Sequence, residues 1–377
     1  MDQKNFKLFE EKFSKLDKIA HFQAPARINI IGEHVDYLGG LVLPAAIDFQ
    51  VEILIQKNHT NKFRFYSVQY DEDFETTEIV HQKEKGWANY ILGVILEFEK
   101  LNFKVPGIDI LVDGNIPRGS GLSSSAALEV VVGFAIKEIF GFNVNREKIA
   151  LIGQAAENNF VGTKCGIMDQ YIIANGKKDK CLLLNTATLE KTYHELELEN
   201  FEFYLLNSNV KHSLHDSDYN LRREECESAL KKIHEKQPNL QNLYELDRVP
   251  DYLNETETKR VTHVVGEKRR TQAILEYFRK KELNKAAQIL FEAHESLSKQ
   301  FQVSCNEIDF LIDQLKEANV SGARMIGGGF GGCVLVLDEK GKKEKIFPKL
   351  KTKYFEKFSL NLEIYSFQIS EGVTKVS

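Results

Sequence analysis

The chain has 377 residues, a formal net charge of −5 and 42% hydrophobic residues. This length favours about two domains with sizeable cores, and the negative charge argues against non-specific binding to nucleic acid. The sequence contains no apolar run near the ~20 residues that a membrane-spanning helix requires. We therefore expect a globular protein without nucleic-acid or membrane partners.

The cysteines point to a reducing compartment. The five cysteines, at positions 165, 181, 226, 305 and 333, lie far apart, and none forms a C-x-x-C pair. An odd, scattered set favours free thiols over a disulfide framework or a zinc site. Residues 1–14 are charged and amphipathic and lack the apolar core of a signal peptide. The expected location is cytoplasmic.

The first part of the chain alternates between helical and strand patterns. Phe6, Phe9 and Phe13 are spaced as on one face of a helix. The alternation after Pro25 indicates a strand that Gly32 ends, and the polar residues 33–37 follow it. The predicted elements are a helix at 6–19, strands at 26–31, 51–56 and 63–68, a solvated acidic loop at 71–78, a helix at 87–101 and a strand at 107–112.

Residues 115–129 are rich in glycine and serine and lie between that strand and an apolar helix predicted at 126–140. Gly119 and Gly121 allow tight backbone geometry and close approach of a ligand. Ser123, Ser124 and Ser125 place hydroxyls where a helix begins. Free N–H groups and the dipole at such a helix start favour phosphate. The Walker and Rossmann spacings are absent, so the segment fits either a phosphate-binding loop or an ordinary serine-capped turn.

The middle of the chain contains the expected domain boundary. A helix predicted at 146–159 leads into a glycine-containing turn at 162–171, where Asp169 is a single carboxylate among apolar neighbours. Strands are predicted at 181–184 and 201–206. The break at 189–200 divides the chain into an N-terminal domain, residues 1–195, and a C-terminal domain, residues 196–377.

The second half is mainly helical until a second glycine-rich segment. Helices are predicted at 221–234, 264–279, 283–299 and 306–317, with an irregular polar stretch at 237–251. Residues 327–332 contain five glycines in six positions and precede a strand at 333–337. The basic run at 340–353 predicts a helix with a solvated face, and residues 362–369 form the last predicted strand.

Four segments combine glycine with reactive side chains: residues 27–36, 119–125, 166–169 and 327–332. Each has a structural alternative when it is taken alone: a surface turn in which Arg27 pairs with Glu33, a serine cap, a capped turn with a structural aspartate, and a tight β-turn. Together they supply a phosphate cradle, carboxylates, an arginine and a polar turn of the size of a sugar. Phosphoryl transfer requires these parts.

Several motifs carry a family resemblance. Residues 26–37, Ala-Arg-Ile-Asn-Ile-Ile-Gly-Glu-His-Val-Asp-Tyr, resemble the galactokinase signature. Residues 117–127 resemble the ATP-loop motif of the wider GHMP kinase superfamily, and residues 324–332 resemble its third motif. The resemblance extends through residues 165–170 and 207–225, in family order, and covers essentially the whole chain.

The resemblance implies an α+β fold with an N-terminal α/β domain of the ribosomal-protein-S5-like type, a C-terminal α+β domain and an active site between them. It implies transfer of phosphate from ATP to the C1 hydroxyl of α-D-galactose, with Mg²⁺ as a cofactor, and we expect a monomer. Asp169 matches the family's candidate base and Arg27 its transition-state cation. A lone carboxylate in such a turn needs a partner, so we expect these two side chains to pair in one cleft.

The remaining site residues follow from the same motif matches. The sugar-binding positions are matched by Glu33, His34, Val35, Asp36, Gly166 and Tyr219. The nucleotide-binding positions are matched by Ser67, Gly119, Ser120, Gly121, Leu122, Ser123, Ser124 and Ser125. The Mg²⁺-associated positions are matched by Ser125 and Glu157.

Three residues depart from the family pattern. Val35 and Leu38 replace the usual Thr and Asn of the first motif, and Ile326 replaces the usual Thr of the third. Because an apolar residue at position 35 is reminiscent of the N-acetylgalactosamine kinase branch, a kinase of a related sugar, N-acetylgalactosamine or arabinose, is an alternative. Another alternative is a non-catalytic sugar-sensing homologue. Such homologues can lose residues of the Ser-Ser-Ser-Ala-Ala segment, which is intact here at 123–127.

Overall fold

The computed structural model describes residues 3–210 and 215–377. The helices are α1 Gln3–Phe13, α2 Gly86–Lys100, α3 Ser124–Phe140, α4 Arg146–Ala156, α5 Met168–Asn175, α6 His215–Lys236, α7 Glu255–Arg279, α8 Leu283–Ser296, α9 Asn306–Glu317 and α10 Lys343–Phe358. The strands are β1 Ala20–Asn29, β2 Leu41–Val42, β3 Pro44–Lys57, β4 Phe63–Ser67, β5 Glu72–Thr76, β6 Ile108–Gly114, β7 Lys180–Asn185, β8 Lys191–Glu195, β9 Phe201–Asn207, β10 Gly322–Met325, β11 Cys333–Glu339, β12 Glu363–Ser366 and β13 Thr374–Lys375. None of the helices in these ranges combines the length and apolar character needed to span a membrane. Part of the motif segment 207–225, residues 211–214, lies outside the described residues.

The largest sheet has the strand order β13-β1-β3-β6-β4-β5 and is antiparallel except between β4 and β6. Helix α3 packs against β1 and β3, and its residues from Ala126 to Ile136 are buried on every side. Apart from Glu129 these residues are apolar or glycine, and a helix that is apolar on nearly every side is typical of a protein core. The start of α3 lies beside β1, where the Arg27 N–H donates to the Leu122 carbonyl at 3.4 Å.

Two smaller sheets complete the fold. Strands β10-β11-β9-β12 form an antiparallel sheet from the second half of the chain, and β2-β7-β8 form a short one. Helices α8 and α9 contact β10. The loop between β10 and β11 is the second glycine-rich segment, and it turns towards the start of α3, where a Cβ added at Gly327 would lie 2.9 Å from the Gly121 carbonyl.

A bulge in β1 sets the direction of the first candidate site residue. The register of β1 against β3 shifts between Pro25 and Ala26. Proline has no N–H to donate, so strands accommodate it at such bulges. Beyond the shift Arg27 lies opposite Ala46, and its side chain enters the cleft described below.

Several predicted elements are confirmed with small changes at their ends. Strands β6 and β11 and helices α3 and α9 coincide with the predictions at 107–112, 333–337, 126–140 and 306–317. The helix predicted over the basic run is also present as α10, with Phe347, Leu350 and Tyr354 buried. In each case the apolar pattern and the turn residues at the ends agree.

The acidic segment at 71–78 was expected to be a solvated loop, which is wrong. Residues Glu72–Thr76 form β5, paired with β4, and Phe65 stacks on Phe74 at 5.6 Å between ring centroids. Strand β5 is the edge of the sheet, and its exposed positions alternate with half-buried ones. Asp73 and Glu75 occupy the exposed positions, as charged residues do on protected sheet edges.

Other element boundaries also differ from the predictions. Residues 44–57 form one strand that begins seven residues before the strand predicted at 51–56, and α1 ends at Phe13 instead of residue 19. The predicted turn around Asp169 contains the start of α5. The break expected at 189–200 contains β8. The division at residue 195 stays a prediction, and the chain end returns to the first sheet because β13 pairs with β1.

The network around Asp109 predicts a large effect on stability. Asp109 is fully buried and receives hydrogen bonds from Gln56, Asn58 and, through two nitrogens at 2.7 Å each, Arg64. Asp109→Ala leaves these donors without their acceptor and should lower the free energy of unfolding by about 3 kcal/mol. Denaturant titration measures the loss. Glu75→Ala, which removes an ion pair exposed on both sides, is the control and should cost under ~1 kcal/mol; equal losses would contradict the prediction.

Candidate active site

A cleft of about 300 Å³ lies where the glycine-containing segments meet. Its lining includes residues from all four: the end of β1 with the turn after it, the loop before α3, the start of α5, and the loop between β10 and β11. The structure thus brings together segments that are far apart in sequence. Among the described residues Tyr90, Thr163, Cys165 and Tyr219 complete much of the wall.

A two-pronged ion pair crosses the floor of the cleft. Arg27 donates from Nε to Oδ1 of Asp169 at 2.8 Å and from Nη2 to Oδ2 at 2.7 Å. Its Nη1 donates to the Gly121 carbonyl at 2.6 Å. Burial works to lower the pKa of Arg27, but the carboxylates of Asp169, Glu33 and Asp36 together outweigh it and the net shift is upward. The expected pairing of these two side chains is confirmed.

The loop before α3 has the backbone shape of an anion cradle. Gly119 and Gly121 have φ of 67° and 71°, and Ser123 also adopts the left-handed conformation, with φ of 62°. The Ser120 hydroxyl donates to the Pro117 carbonyl at 2.6 Å. Ser123 makes no capping bond to α3, and its hydroxyl donates to Asp169 instead. The simple serine-cap alternative is therefore wrong for Ser123, whose side chain leaves the first N–H groups of α3 without that cap.

Glu33 joins the two halves of the chain. One oxygen accepts from Arg324 Nη2 at 2.6 Å and from Asn29 Nδ2 at 3.2 Å, and the other accepts the Gly327 N–H at 2.9 Å. Burial raises the pKa of Glu33 above its usual value, and the guanidiniums of Arg324 and Arg27 oppose that shift. The alternative of an Arg27–Glu33 pair in a surface turn is wrong, because Arg27 bonds Asp169 and Glu33 bonds Arg324.

The far end of the cleft carries the other polar residues of the first motif. His34 Nδ1 lies 2.9 Å from the Tyr37 hydroxyl, and its ring is 5.4 Å from the ring of Tyr219. Asp36 lies against Gly166, where any Cβ would overlap its carboxylate. Burial and the carboxylates of Asp169 and Glu33 raise the pKa of Asp36 to about 7. This end therefore offers both donors and acceptors to a polyhydroxyl ligand.

A second group of acids lies beside the glycine- and serine-rich loop before α3. Ser125 and Glu157 both line the cleft. Gln170 Nε2 donates to Glu157 at 2.8 Å and to the fully buried Glu129 at 2.9 Å. Burial, followed by the charge of Asp169, raises the pKa of Glu157 to about 7. Burial and the neighbouring Glu157 raise the pKa of Glu129 well above its usual range.

Two of the predicted site residues lie outside the cleft lining. Val35 is fully buried and packs behind the turn, against Gly40. Ser67 is 4% exposed at the end of β4, where its hydroxyl accepts the Tyr70 N–H at 3.4 Å. The remaining predicted residues all line the cleft: Arg27, Glu33, His34, Asp36, Gly119, Ser120, Gly121, Leu122, Ser123, Ser124, Ser125, Glu157, Gly166, Asp169 and Tyr219.

Arg324 is the main contributor that the sequence reading did not single out. It is fully buried in β10, whose four residues are all buried. Besides Glu33 it donates to the carbonyls of Asn29, Ile30 (2.9 Å) and Met325 (3.0 Å). An arginine in the middle of an apolar strand is a usable signal, since a buried guanidinium requires partners for its donors.

Comparison with known proteins agrees with this geometry. The galactokinase galactose-binding signature matches residues 7–57, the GHMP kinases N terminal domain matches 89–177 and the GHMP kinases C terminal domain matches 274–357. The chain is 44% identical to a galactokinase of Thermosipho africanus, over 94% of this chain and 99% of the relative. It is 36% identical to a galactokinase of Fusobacterium nucleatum, over 98% of each. The crystal structure of Lactococcus lactis galactokinase complexed with galactose superposes with a TM-score of 0.93, at 33% identity and 98% coverage of both chains.

The two-domain fold and the loop at the start of α3 thus define a GHMP kinase, and the predicted fold class is confirmed. Within this class the chain belongs to the galactokinase family, as the sequence predicted. It is an ATP-dependent sugar kinase.

The raised pKa of Asp36 predicts a pH-dependent gain of stability in Asp36→Asn. The pKa is about 7 in the folded chain and near 4 in an unfolded one. The folded state therefore binds this proton more tightly, and its stability falls as pH rises from about 4 to about 7. Asp36→Asn should raise the melting temperature clearly at pH 8 and much less at pH 5, without substrates. A gain of the same size at both pH values would contradict the prediction.

Proposed function

We propose that this kinase transfers the γ-phosphoryl group of ATP to the C1 hydroxyl of α-D-galactose, giving α-D-galactose 1-phosphate and ADP. The observation that carries the proposal is the place of the Arg27–Asp169 pair. It lies between the polar turn of the galactose-binding signature and the glycine-rich loop at α3. A sugar bound to the turn and a phosphate bound to the loop would meet at this pair.

The sugar occupies the end of the cleft formed by His34, Asp36, Gly166 and Tyr219. These groups all line the cleft, and the Lactococcus lactis relative was crystallised with galactose. Glu33 accepts three donors from the protein, which leaves about one of the roughly four acceptor positions of a carboxylate for a sugar hydroxyl. Val35 acts only indirectly, through the packing of the turn behind the sugar.

Asp169 is the group that receives or orients the C1 hydroxyl. Three donors, two from Arg27 and one from Ser123, hold its carboxylate in place. A carboxylate has about four acceptor positions, so one remains for the sugar hydroxyl. Arg27 keeps further N–H groups beyond its bonds to Asp169 and Gly121, and these neutralise charge that develops on the transferring phosphoryl group.

ATP phosphates bind the loop from Gly119 to Ser125. Gly119 and Gly121 have positive φ angles and line the cleft, and the start of α3 adds its dipole and its first N–H groups. The sequence has no Walker lysine, so this backbone supplies much of the positive field. Ser67 contributes indirectly. Its hydroxyl accepts the Tyr70 N–H, and the guanidinium carbon of Arg118, the residue before Gly119, lies 4.3 Å from the centre of the Tyr70 ring.

The residues suited to Mg²⁺ are Ser125 and Glu157. Magnesium usually takes one or two carboxylates, substrate phosphates and water, and this pair fits that requirement better than a closed cage of protein ligands. The raised pKa of Glu157 marks a buried acid that a nearby cation would favour in its ionised form. When bound, the metal supplies neutralisation of phosphate charge. Gln170 Nε2 donates to one oxygen of Glu157 and helps to hold that carboxylate in place.

We propose that the protein acts in the cytoplasm as a monomer. All five cysteines are free thiols, which suits a reducing compartment. Residues 32–37 after β1, which we call the signature turn, come from the same chain as the loop before α3, Asp169 and Tyr219, so a second copy is not needed to form the cleft. Sedimentation at assay concentration measures the oligomeric state.

The function is tested with a panel of sugars and direct detection of the product. Galactose should give a higher kcat/KM than N-acetylgalactosamine, arabinose or glucose, because hydrogen-bonded hydroxyl recognition discriminates strongly between sugars. ADP release measures the rates, and phosphorus NMR locates the new phosphate. A higher kcat/KM for N-acetylgalactosamine, or phosphate on a hydroxyl other than C1, would contradict the proposal. The absence of turnover with every sugar would favour a non-catalytic sensor.

The assignment of Asp169 predicts that Asp169→Asn separates chemistry from binding. The substitution keeps the size of the side chain but removes its charge, and loss of a general base typically costs about 10²–10⁴ in rate. We expect kcat to fall by about that factor while galactose still binds through His34, Asp36 and Tyr219. Single-turnover phosphoryl transfer and calorimetric galactose binding measure the two effects. Transfer within about threefold of the parent would show a purely structural role for Asp169.

A further inference from the structure

Helix α7 carries a row of buried polar side chains that the proposed reaction does not use directly. Arg260, His263 and Glu267 are at most 1% exposed. Their spacing of three and four residues places them on one face of the helix. Buried polar groups of this kind require specific partners, and His263 and Glu267 find theirs in the backbone at the sugar end of the cleft.

Glu267 binds the backbone of the signature turn. Its Oε1 accepts the N–H of Gly32 at 2.9 Å and the N–H of Glu33 at 3.2 Å. Its Oε2 accepts from Arg270 Nε at 2.7 Å. Burial works to raise the pKa of Glu267, but Arg270, His263 and Arg324 outweigh it and lower the pKa to about 2. A charged carboxylate therefore holds two successive N–H groups, and such bonds are stronger than neutral ones.

His263 holds the next backbone group of the same turn. Its Nε2 lies 3.0 Å from the Glu33 carbonyl and its Nδ1 2.9 Å from the Ser296 hydroxyl. Because a carbonyl only accepts, Nε2 carries the proton and donates to it. Burial lowers the pKa of His263 to about 4, so the ring is neutral and Nδ1 accepts from Ser296.

These contacts surround a strained residue that faces the sugar. His34 follows Glu33 directly and has φ of 59°, in the left-handed region that costs free energy for residues other than glycine. Its ring lies 4.9 Å from that of Phe301, which is 4.7 Å from the ring of His263. Arg260 bonds Glu225 of α6 at 2.6 Å, and α6 also carries Tyr219. One face of α7 therefore contacts both the turn that precedes His34 and the helix that carries Tyr219.

We propose that His263 and Glu267 are positioning residues that set the affinity for the sugar by fixing the backbone of Gly32 and Glu33 and hence the ring of His34. The proposal rests on the proposed function, in which His34 contacts the sugar. Neither residue lines the cleft, and neither contacts the loop that takes the ATP phosphates. Their loss should weaken sugar binding much more than ATP binding.

The first test compares His263→Leu with His263→Gln. Leucine removes the bond to the Glu33 carbonyl, whereas glutamine can place its own N–H close to the position of Nε2. We expect the KM for sugar to rise about tenfold in His263→Leu, with the KM for ATP within about twofold of the parent, and His263→Gln to recover most of the loss. Calorimetric sugar binding without nucleotide should show the same order. Equal changes in both KM values, or no recovery with glutamine, would overturn the proposal.

The second test uses matched carboxylates on the same helix. Glu257 is also buried and paired with a cation, Lys232, but it caps the start of α7 and binds Ser228 of α6. Glu267→Gln should raise the KM for sugar about fivefold or more, whereas Glu257→Gln should lower the melting temperature and leave that KM within twofold. The same KM change in both variants would overturn the proposal. If Glu267→Gln does not fold, the His263 pair alone decides.

These experiments also separate the proposal from the proposed function. The parent is first assayed on the sugar panel, and every variant is then measured with the sugar that the parent prefers. Preference for a sugar other than galactose would refute the proposed substrate, while the ratio of the sugar and ATP effects would still test the role of α7.

Discussion

The concentration of negative charge in one cleft is the constraint on which the rest of the site depends. Glu33, Asp36, Glu157 and Asp169 all line it, with Glu129 directly behind. Two guanidiniums are built in, and each is committed to one acid: Arg27 to Asp169 and Arg324 to Glu33. Gln170 donates to both Glu129 and Glu157, and the Ser125 hydroxyl also stabilises Glu157. Burial raises the pKa values of Glu129, Glu157 and Asp36. Such an arrangement costs stability in the empty protein, and it provides acceptors that suit sugar hydroxyls and a metal cation.

The same charges hold the two halves of the chain together. The Arg324–Glu33 pair connects β10 with the turn after β1, and the Gly327 N–H strengthens that link from the neighbouring loop. Helix α7 adds Glu267 and His263 on the backbone side of the same turn. The signature turn is thus fixed by contacts from the second half, although its sequence motif lies entirely in the first. Removing one partner of a buried pair is far more damaging than replacing both, so these contacts are expected to act as a unit.

Glycine positions and helix starts could be read from the sequence because they depend on a few consecutive residues. Gly119 and Gly121 do adopt positive φ, and α3 begins beside the predicted serines. The start of α7 could not be found in this way. Its predicted range omitted Glu255–His263, where polar residues face the interior and hide the apolar periodicity on which helix prediction relies. Strand β5 was missed for a related reason, since acidic residues on a sheet edge resemble those of a loop.

The sequence by itself determined the family, because the motifs depend on the types and order of a few consecutive residues, and through the family resemblance it also predicted the pairing of Arg27 with Asp169 across 142 positions. Only the tertiary structure decided which acid Arg324 neutralises, where the Ser123 hydroxyl points and which helix supports the signature turn. Those choices join residues that are 291, 46 and 235 positions apart in the chain. A buried charge must find a partner, but which partner depends on the loops that meet in space. That information resides in the packing of the two halves and not in any local pattern.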